Sequence, residues 1–207
     1  MKKQAIIFLS GKFNLKDDYY KNIKYEEYDI YCADGGANYT YSLGIVPKVI
    51  LGDLDSIEKK VKKYYEKLEV EFKKFPVSKD FTDGELILNK ITAKYENVLV
   101  LGGLGGRTDH FITNLNLLEK YKNVTYEDEN EIIFYVKKEM QIHGKKGKII
   151  SFIPLTPINS LTLEGFLYPL DGINISRSSS LCMSNIINKE KVRIKYDKGS
   201  IIGIIQK

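Results

Sequence analysis

The chain has 207 residues, of which 43% are hydrophobic and 29% charged, so it can bury a core and remain soluble. No apolar run reaches the roughly 20 residues of a membrane-spanning helix, and two cysteines and two histidines exclude a disulfide framework and a four-thiolate zinc site. The net charge of +5 comes from scattered lysines with only three arginines, so we expect no nucleic-acid partner. The lack of a long apolar run and of a disulfide framework leads us to expect no membrane association and a cytoplasmic location.

The first half of the chain, to about residue 128, alternates short apolar strands with helical segments. Strands are predicted at Ala5–Leu9, Asp29–Ala33, Val49–Leu51 and Val98–Leu101. Helices are predicted at Asn38–Leu43, Ile57–Leu68, Gly84–Lys94 and Asp109–Tyr121. Gly44, followed by Pro47, is typical of a helix C-terminus. This alternation predicts an α/β fold with a doubly wound, mostly parallel sheet.

The second half consists of short β-rich segments separated by turns. The predicted strands are Ile132–Val136, Met140–His143, Lys148–Pro154, Ser160–Leu163 and Val192–Tyr196. Turns are predicted at Lys146-Gly147, Asp171-Gly172 and Lys198-Gly199. This spacing predicts a small antiparallel sandwich or barrel. We therefore predict two domains, residues 1–128 and 129–207.

Polar and glycine-rich turns follow three of the predicted strands of the first half. In an open α/β sheet, ligands bind beyond the carboxyl ends of the strands. The turns are Asp34-Gly35-Gly36-Ala37, Gly52-Asp53-Leu54-Asp55-Ser56 and the segment from Gly102 to His110. A fourth acidic segment, from Lys79 to Glu85, opens a helix. We expect these segments to form one site.

The glycine-rich turn from Gly102 to Arg107 has two interpretations. Its glycines allow a close approach of backbone to an anion, and a helix starting near Asp109 would direct free N–H groups to the same place. In the first interpretation the turn binds phosphate, and the Arg107 guanidinium donates hydrogen bonds to it. In the second it is a tight turn between a strand and a helix, and Arg107 is solvated. His110 and Asn114 share one helix face and either contact the ligand or form hydrogen bonds on the helix surface.

The acidic residues of these turns predict a cation site. Carboxylates held close together repel one another, and a hard cation such as Mg²⁺ removes that cost. The alternative is turn and capping chemistry, in which aspartate is common. Thr82 and Glu85 have the spacing of a capping box, so we assign them to a helix terminus. Asp53 and Asp55 are the strongest candidates for a functional role because a glycine and a buried strand precede them.

Together, in this order and spacing, the motifs resemble the thiamine pyrophosphokinase family. The resemblance is carried by segments 34–38, 44–47, 52–56, 79–83 and 105–110 with Asn114, and in the second half by segments 163–165, 168–170 and 184–185. It implies an N-terminal α/β catalytic domain, a C-terminal thiamine-binding β-sandwich, and a homodimer with sites between subunits. The implied reaction transfers the pyrophosphoryl group of ATP to thiamine, with Mg²⁺ as cofactor, and gives thiamine diphosphate and AMP.

The resemblance also assigns roles residue by residue. Catalytic roles fall to Asp53, Asp55, Asp83 and Asp109, the first three of which hold the metal ion. Contacts to ATP or its phosphates fall to Asp34, Gly35, Gly105, Gly106, Arg107, His110 and Asn114, and contacts to thiamine to Ser184 and Asn185. The chain departs from the family at Ile186, where a glutamate is common, and it lacks the tryptophan that animal members place against thiamine. Two alternatives are a non-catalytic nucleotide- or thiamine-binding regulator and a metal-dependent phosphohydrolase.

Overall fold

The computed structural model describes residues 3–75 and 81–207, so Lys79 and Asp80 of the third motif lie outside the described residues. The described chain forms two compact units. The first holds the described residues up to Leu117 together with Asn123–Glu129, and the second holds Leu118–Lys122 with Asn130–Lys207. Among the described helices, none combines the length and the apolar character needed to cross a membrane.

The described part of the first unit contains six strands. They are β1 (Gln4–Phe8), β2 (Asp29–Ala33), β3 (Val49–Gly52), β4 (Glu71–Lys74), β5 (Asn97–Leu101) and β6 (Val124–Glu127). They pair in parallel in the order β6-β5-β1-β2-β3-β4. Because the chain continues from β1 to β2 on one side and later adds β5 on the other, the strand order reverses at β1. Such a switch point is where ligands bind in open α/β sheets.

The described part of the first unit contains five α-helices, of which the first and the fourth begin at residues whose side chains cap the helix. The five helices are α1 (Asp18–Asn22), α2 (Gly36–Ser42), α3 (Lys59–Lys67), α4 (Asp83–Ile91) and α5 (Thr108–Lys120), whose last turn belongs to the second unit. The Thr82 hydroxyl accepts the N–H of Glu85 at 3.1 Å, which is the predicted cap of α4. Gly44 has a φ of 70° and follows Leu43, the C-cap of α2, so its predicted role at the helix C-terminus is confirmed.

The second unit is a sandwich of two antiparallel sheets. Its strands are β7 (Glu131–Tyr135), β8 (Glu139–His143), β9 (Ile149–Pro154), β10 (Ile158–Glu164), β11 (Leu170–Ile175), β12 (Asn185–Ile186), β13 (Lys191–Lys195) and β14 (Ile201–Gln206). One sheet has the order β12-β9-β14-β7 and the other β11-β10-β13-β8. Side chains from both sheets form one core, for example Phe152 of β9 and Ile194 of β13. The predicted α/β fold with a smaller β-sandwich is therefore confirmed, and the barrel alternative is wrong.

Several elements were not expected from the sequence. Strands β4, β6, β11, β12 and β14 and helix α1 are absent from the predicted set. The turn predicted at Asp171-Gly172 is wrong, since both residues lie within β11. Gly172 has a φ of 63° there, and the pairing of β10 with β11 shifts register beside it. The glycine accommodates a bulge in a strand and does not end one.

Tyr65 of α3 holds the segment between α2 and β3 in place. Its side chain is fully buried. Its hydroxyl donates to the backbone carbonyl of Ile45 at 2.7 Å and lies 2.9 Å from Thr40 Oγ1. The hydroxyl thereby ties α3 to α2 and to the loop that leads into β3, which carries the Asp53 turn at its end.

We expect Tyr65→Phe to lower the free energy of unfolding by about 1–2 kcal/mol, because a buried carbonyl loses its donor. The neighbouring Tyr64→Phe is the matched control, since Tyr64 is 40% exposed, and it should change the stability by less than about 0.5 kcal/mol. Urea unfolding followed by circular dichroism measures both. Equal stability of the two variants would mean that the Tyr65 hydroxyl contributes nothing.

Candidate functional site

A cavity of about 530 Å³ opens at the carboxyl ends of β1, β2, β3 and β5. Its volume is in the range of small-molecule sites. The lining includes most of the residues predicted for the metal and the nucleotide, namely Asp34, Asp53, Asp55, Asp83, Gly105, Gly106, Arg107, His110 and Asn114. Two others, Gly35 and Asp109, are neighbours of lining residues but are not part of the lining. All of the lining belongs to the first unit.

Three carboxylates cluster on one side of this cavity. Asp34, Asp53 and Asp55 each offer an oxygen atom, and these oxygens lie within 4.8 Å of one another. Asp34 is buried, Asp53 is half-buried and Asp55 is exposed. Hard oxygen ligands at this spacing fit a divalent cation such as Mg²⁺ or Mn²⁺. Asp83, which we predicted as a metal ligand, lines the cavity at the first position of α4 but is not a member of this cluster.

The turn after β3 is held against the turn after β2 by hydrogen bonds of the Asp34 backbone and side chain. The Asp34 N–H donates to the carbonyl of Leu51 at 2.7 Å, and Asp34 Oδ1 accepts the N–H of Ser56 at 3.3 Å. Gly52 has a φ of 146°, and a Cβ at this position would lie 2.9 Å from Asp34 Cβ. A glycine is needed here because any side chain would separate the two turns and so the carboxylates.

Asn38 of α2 fixes the far end of the same turn. Its Nδ2 donates to the carbonyl of Ser56 at 3.0 Å, and its Oδ1 accepts the N–H of Glu58 at 3.0 Å. Within the turn, Asp53 Oδ1 accepts the N–H of Asp55 at 3.3 Å. The acidic turn is therefore shaped by its own hydrogen bonds, and the carboxylate oxygens remain directed toward one another.

The environment of Asp34 disfavours its charged form. Burial raises the pKa of its carboxyl, and the neighbouring charges of Asp53 and Asp55 raise the pKa further, against the opposing hydrogen bond from Ser56. The folded chain thus holds this proton more tightly than the unfolded chain does. Ionisation of Asp34 consequently lowers the stability as the pH rises above the ordinary carboxyl value of 3.8, unless a cation compensates.

The glycine-rich turn after β5 forms another wall of the cavity. Asn114 is buried, and its Nδ2 donates to the carbonyl of Gly103 at 2.9 Å, so this predicted nucleotide contact also supports the turn. Gly105 and Gly106 have φ values of 75° and 84°, in the left-handed region. The start of α5, at Thr108, follows directly. Free N–H groups at a helix start and a flexible glycine backbone suit an anion.

Arg107 is engaged by Asp109. Its Nε lies 3.1 Å from Asp109 Oδ1 and its Nη2 lies 2.6 Å from Oδ2. Both side chains are exposed. The hydrogen bonds from Arg107 lower the pKa of Asp109 to about 2, which makes this carboxylate a weak proton acceptor while it is paired. Arg107 must exchange this partner if its Nε and Nη2 edge is to donate to a phosphate group, whereas its Nη1 N–H groups are not used by Asp109.

The predicted thiamine residues lie in the second unit. Ser184 is exposed, with a φ of 51°, and its N–H donates to Ser151 Oγ at 2.9 Å. Asn185 is buried, and its amide accepts the N–H of Tyr168 at 3.0 Å and donates to the Tyr168 carbonyl at 2.8 Å. Asn185 thus fixes the Tyr168 backbone. Of the two residues, Ser184 is the one whose side chain is open to a ligand.

The sequence analysis missed the loop that follows β1. Ser10, Gly11 and Lys12 all line the cavity. The strand itself was predicted, and the rule that ligands bind beyond the carboxyl ends of strands applies to it equally. The loop has neither a carboxylate nor a pair of glycines, which are the two signals that identified the other turns.

These features define an α/β protein with a cavity at its strand switch point, where a cluster of carboxylates lies in the same cavity as a glycine-rich turn. Residues 20–133 match the family described as thiamin pyrophosphokinase, catalytic domain, and residues 131–201 match thiamin pyrophosphokinase, vitamin B1 binding domain. The chain belongs to the thiamine pyrophosphokinase family. The predicted family, and with it the prediction of an enzyme of the transferase class, is confirmed.

Individual relatives agree with this assignment. The chain is 34% identical to the thiamine pyrophosphokinase of Bacillus subtilis (strain 168), over 83% of this chain and 84% of the relative. It is 33% identical to thiamine pyrophosphokinase 1 of Oryza sativa subsp. japonica, over 82% and 76%. The crystal structure of the Bacillus subtilis thiamine pyrophosphokinase superposes with a TM-score of 0.87 at 30% identity and 99% coverage of both chains.

We expect Asp34→Asn to remove the stabilisation that a divalent cation gives to the folded chain. The amide retains an oxygen for the Ser56 N–H, and without metal the loss of a crowded charge should leave the melting temperature equal or higher. Thermal unfolding at neutral pH, with and without Mg²⁺ or Mn²⁺, measures both effects. Asp171→Asn, in β11 of the other unit, is the control and should keep the full cation response. A cation response in Asp34→Asn equal to that of the wild type would contradict the assignment.

Proposed function

We propose that this chain transfers the pyrophosphoryl group of ATP to the hydroxyethyl oxygen of thiamine in a Mg²⁺-dependent reaction, giving thiamine diphosphate and AMP. The observation that carries the proposal is the carboxylate cluster of Asp34, Asp53 and Asp55 in the same cavity as the glycine-rich turn and Arg107. A cation site beside an anion site is what a metal-bound polyphosphate requires.

We assign the metal ion to Asp34, Asp53 and Asp55. Asp53 and Asp55 were predicted as ligands, and Asp34 replaces Asp83 because its oxygen is within 4.8 Å of theirs. When bound there, Mg²⁺ neutralises charge on the phosphate oxygens. The three carboxylates position the ion, and the hydrogen bonds from Asn38 and Ser56 position the carboxylates. Asp83 and the start of α4 complete this side of the cavity.

The glycine-rich turn and Arg107 bind the phosphates on another side. The backbone N–H groups of Gly105 and Gly106 approach the phosphate oxygens closely, and His110 and Asn114 line the same wall. Arg107 then exchanges Asp109 for a phosphate group, to which it can donate two parallel hydrogen bonds. These groups hold the β-phosphorus in line for attack, and positioning supplies a large part of the rate.

In the chemical step the thiamine hydroxyl oxygen forms a bond to the β-phosphorus, and the bond from this phosphorus to the α,β-bridging oxygen breaks. AMP leaves with the bridging oxygen, and the hydroxyl proton passes to a nearby acceptor. A pKa of about 2 for Asp109 disfavours that residue as the acceptor in its paired state. Asp109 therefore contributes by holding Arg107 before the nucleotide binds.

We further propose a homodimer in which Ser184 of one subunit supplies thiamine contacts to the catalytic domain of its partner. Residues 1–128 then act as the catalytic domain and residues 129–207 as the thiamine-binding domain. Support comes from exposed apolar side chains around the Ser184 segment, namely Leu167, Tyr168, Leu181 and Met183. We place the reaction in the cytoplasm, where free thiols such as Cys32 and Cys182 are common.

The products decide between this reaction and the alternatives. With ATP, Mg²⁺ and thiamine, AMP and thiamine diphosphate should form in equal amounts, as measured by chromatography. ATP breakdown that is equally fast without thiamine would indicate a phosphohydrolase. Binding of ATP or thiamine without any turnover would indicate a regulator.

Asp53→Asn should lower kcat by orders of magnitude in a folded protein, since a metal ligand is lost.

Mixing two inactive variants tests the shared site. Asp53→Asn disables the metal site, and Ser184→Lys adds bulk and a positive charge where the cationic thiazolium would bind. In a mixed dimer, one of the two sites contains both substitutions and the other site contains neither. Random exchange at equal amounts makes about half of the dimers mixed, so activity should return to roughly a quarter of the wild-type value. No recovery after proven exchange, or a monomer in sedimentation, would contradict the shared site.

A further inference from the structure

The loop that follows β1 enters the cavity where the strand order reverses. β1 lies between β5 and β2, so residues 10–12 lie between the glycine-rich turn after β5 and the Asp34 turn after β2. Loops at a switch point of this kind border the ligand in open α/β sheets. Ser10, Gly11 and Lys12 line the cavity accordingly, and neither the sequence motifs nor the proposed mechanism gives them a role.

The backbone of this loop is fixed on both sides of Lys12. A Cβ atom at Gly11 would collide with the carbonyl oxygen of Gly102, so the loop packs directly on the glycine-rich turn. The ring of Phe13 has its centroid 4.0 Å from that of Tyr39 and 5.9 Å from that of Phe8. Lys12 therefore extends an exposed side chain from an anchored backbone at the edge of the cavity.

Among the described residues, the ammonium group of Lys12 has no protein partner, so it can donate hydrogen bonds to a ligand. The lining formed by the described residues includes the basic side chains of Lys12 and Arg107. The guanidinium of Arg107 is engaged by Asp109 through two hydrogen bonds. Within residues 3–75 and 81–207, by contrast, the Lys12 ammonium has neither a hydrogen bond nor an ion pair. Its three N–H donors are thus available to a ligand without displacement of a protein partner.

We propose that Lys12 binds the polyphosphate chain of the nucleotide, an inference that rests on the proposed function. An ammonium group is a compact charge on a flexible side chain, so it can contact phosphate oxygens at different positions. The planar guanidinium of Arg107 binds two oxygens only in one relative orientation. Lys12 gives the site a cation for the incoming polyphosphate before Arg107 has exchanged Asp109. It makes the affinity for the phosphates, and not for the nucleoside, depend on the β1 loop.

The test compares Lys12→Gln and Lys12→Arg with a charge-matched control. Lys94→Gln also removes one exposed positive charge, but Lys94 lies just before β5, at the other end of that strand from the cavity. Calorimetry measures binding of inorganic tripolyphosphate and of adenosine with Mg²⁺ present, and steady-state kinetics measures kcat/KM for ATP. We expect Lys12→Gln to weaken tripolyphosphate binding and lower kcat/KM for ATP by roughly 10- to 100-fold.

The control readouts separate phosphate binding from a structural effect. Adenosine affinity and KM for thiamine should not change in Lys12→Gln, Lys12→Arg should recover much of the tripolyphosphate affinity, and Lys94→Gln should match the wild type. Tripolyphosphate affinity in Lys12→Gln equal to that in Lys94→Gln overturns the inference, and so does a wild-type chain that binds no tripolyphosphate. If the wild type makes no thiamine diphosphate, the proposed function fails, and the tripolyphosphate comparison still decides the role of Lys12.

Discussion

The geometry of the cavity depends on how the first unit holds three mutually repelling carboxylates close together. Asp34, Asp53 and Asp55 present oxygens within 4.8 Å of one another, an arrangement that the chain must hold by other means. The Leu51 carbonyl, the Ser56 N–H and the absence of a side chain at Gly52 hold the two acidic turns together. The folded sheet therefore holds together carboxylates that disfavour one another's charged forms, as the raised pKa of Asp34 reflects.

The two sides of the cavity differ in how they are made rigid. The acidic turns rely on backbone and amide hydrogen bonds, with Asn38 as the clamp. The glycine-rich turn relies on Asn114 and on close packing with the β1 loop at Gly11. The acidic side is thus held by fixed hydrogen bonds, whereas beside the glycine-rich turn the Arg107 side chain is paired with Asp109.

The sequence predicted the parts of the fold that have strong local signals. Buried strands β2, β3 and β5, the cap at Thr82 and the helix end at Gly44 follow from short-range chemistry, and the acidic turns follow from the strands. The closeness of Asp34 to Asp53 and Asp55 depends on how β2 and β3 lie side by side, which no local pattern records. The engagement of Asn185 with Tyr168 is likewise a contact between distant segments. Strand β11 was missed because a bulge glycine resembles a turn.

Strand β14 has a consequence for the order in which the chain is made. It pairs with both β7 and β9, so it lies inside its sheet although it is the last strand in sequence. During synthesis the strands of the first unit, the last of which is β6, leave the ribosome before any strand of the sandwich is complete. The sandwich can close only after residue 206 has emerged. Until then the nascent chain exposes the isoleucine-rich strands of an incomplete sandwich, which is a condition that favours aggregation.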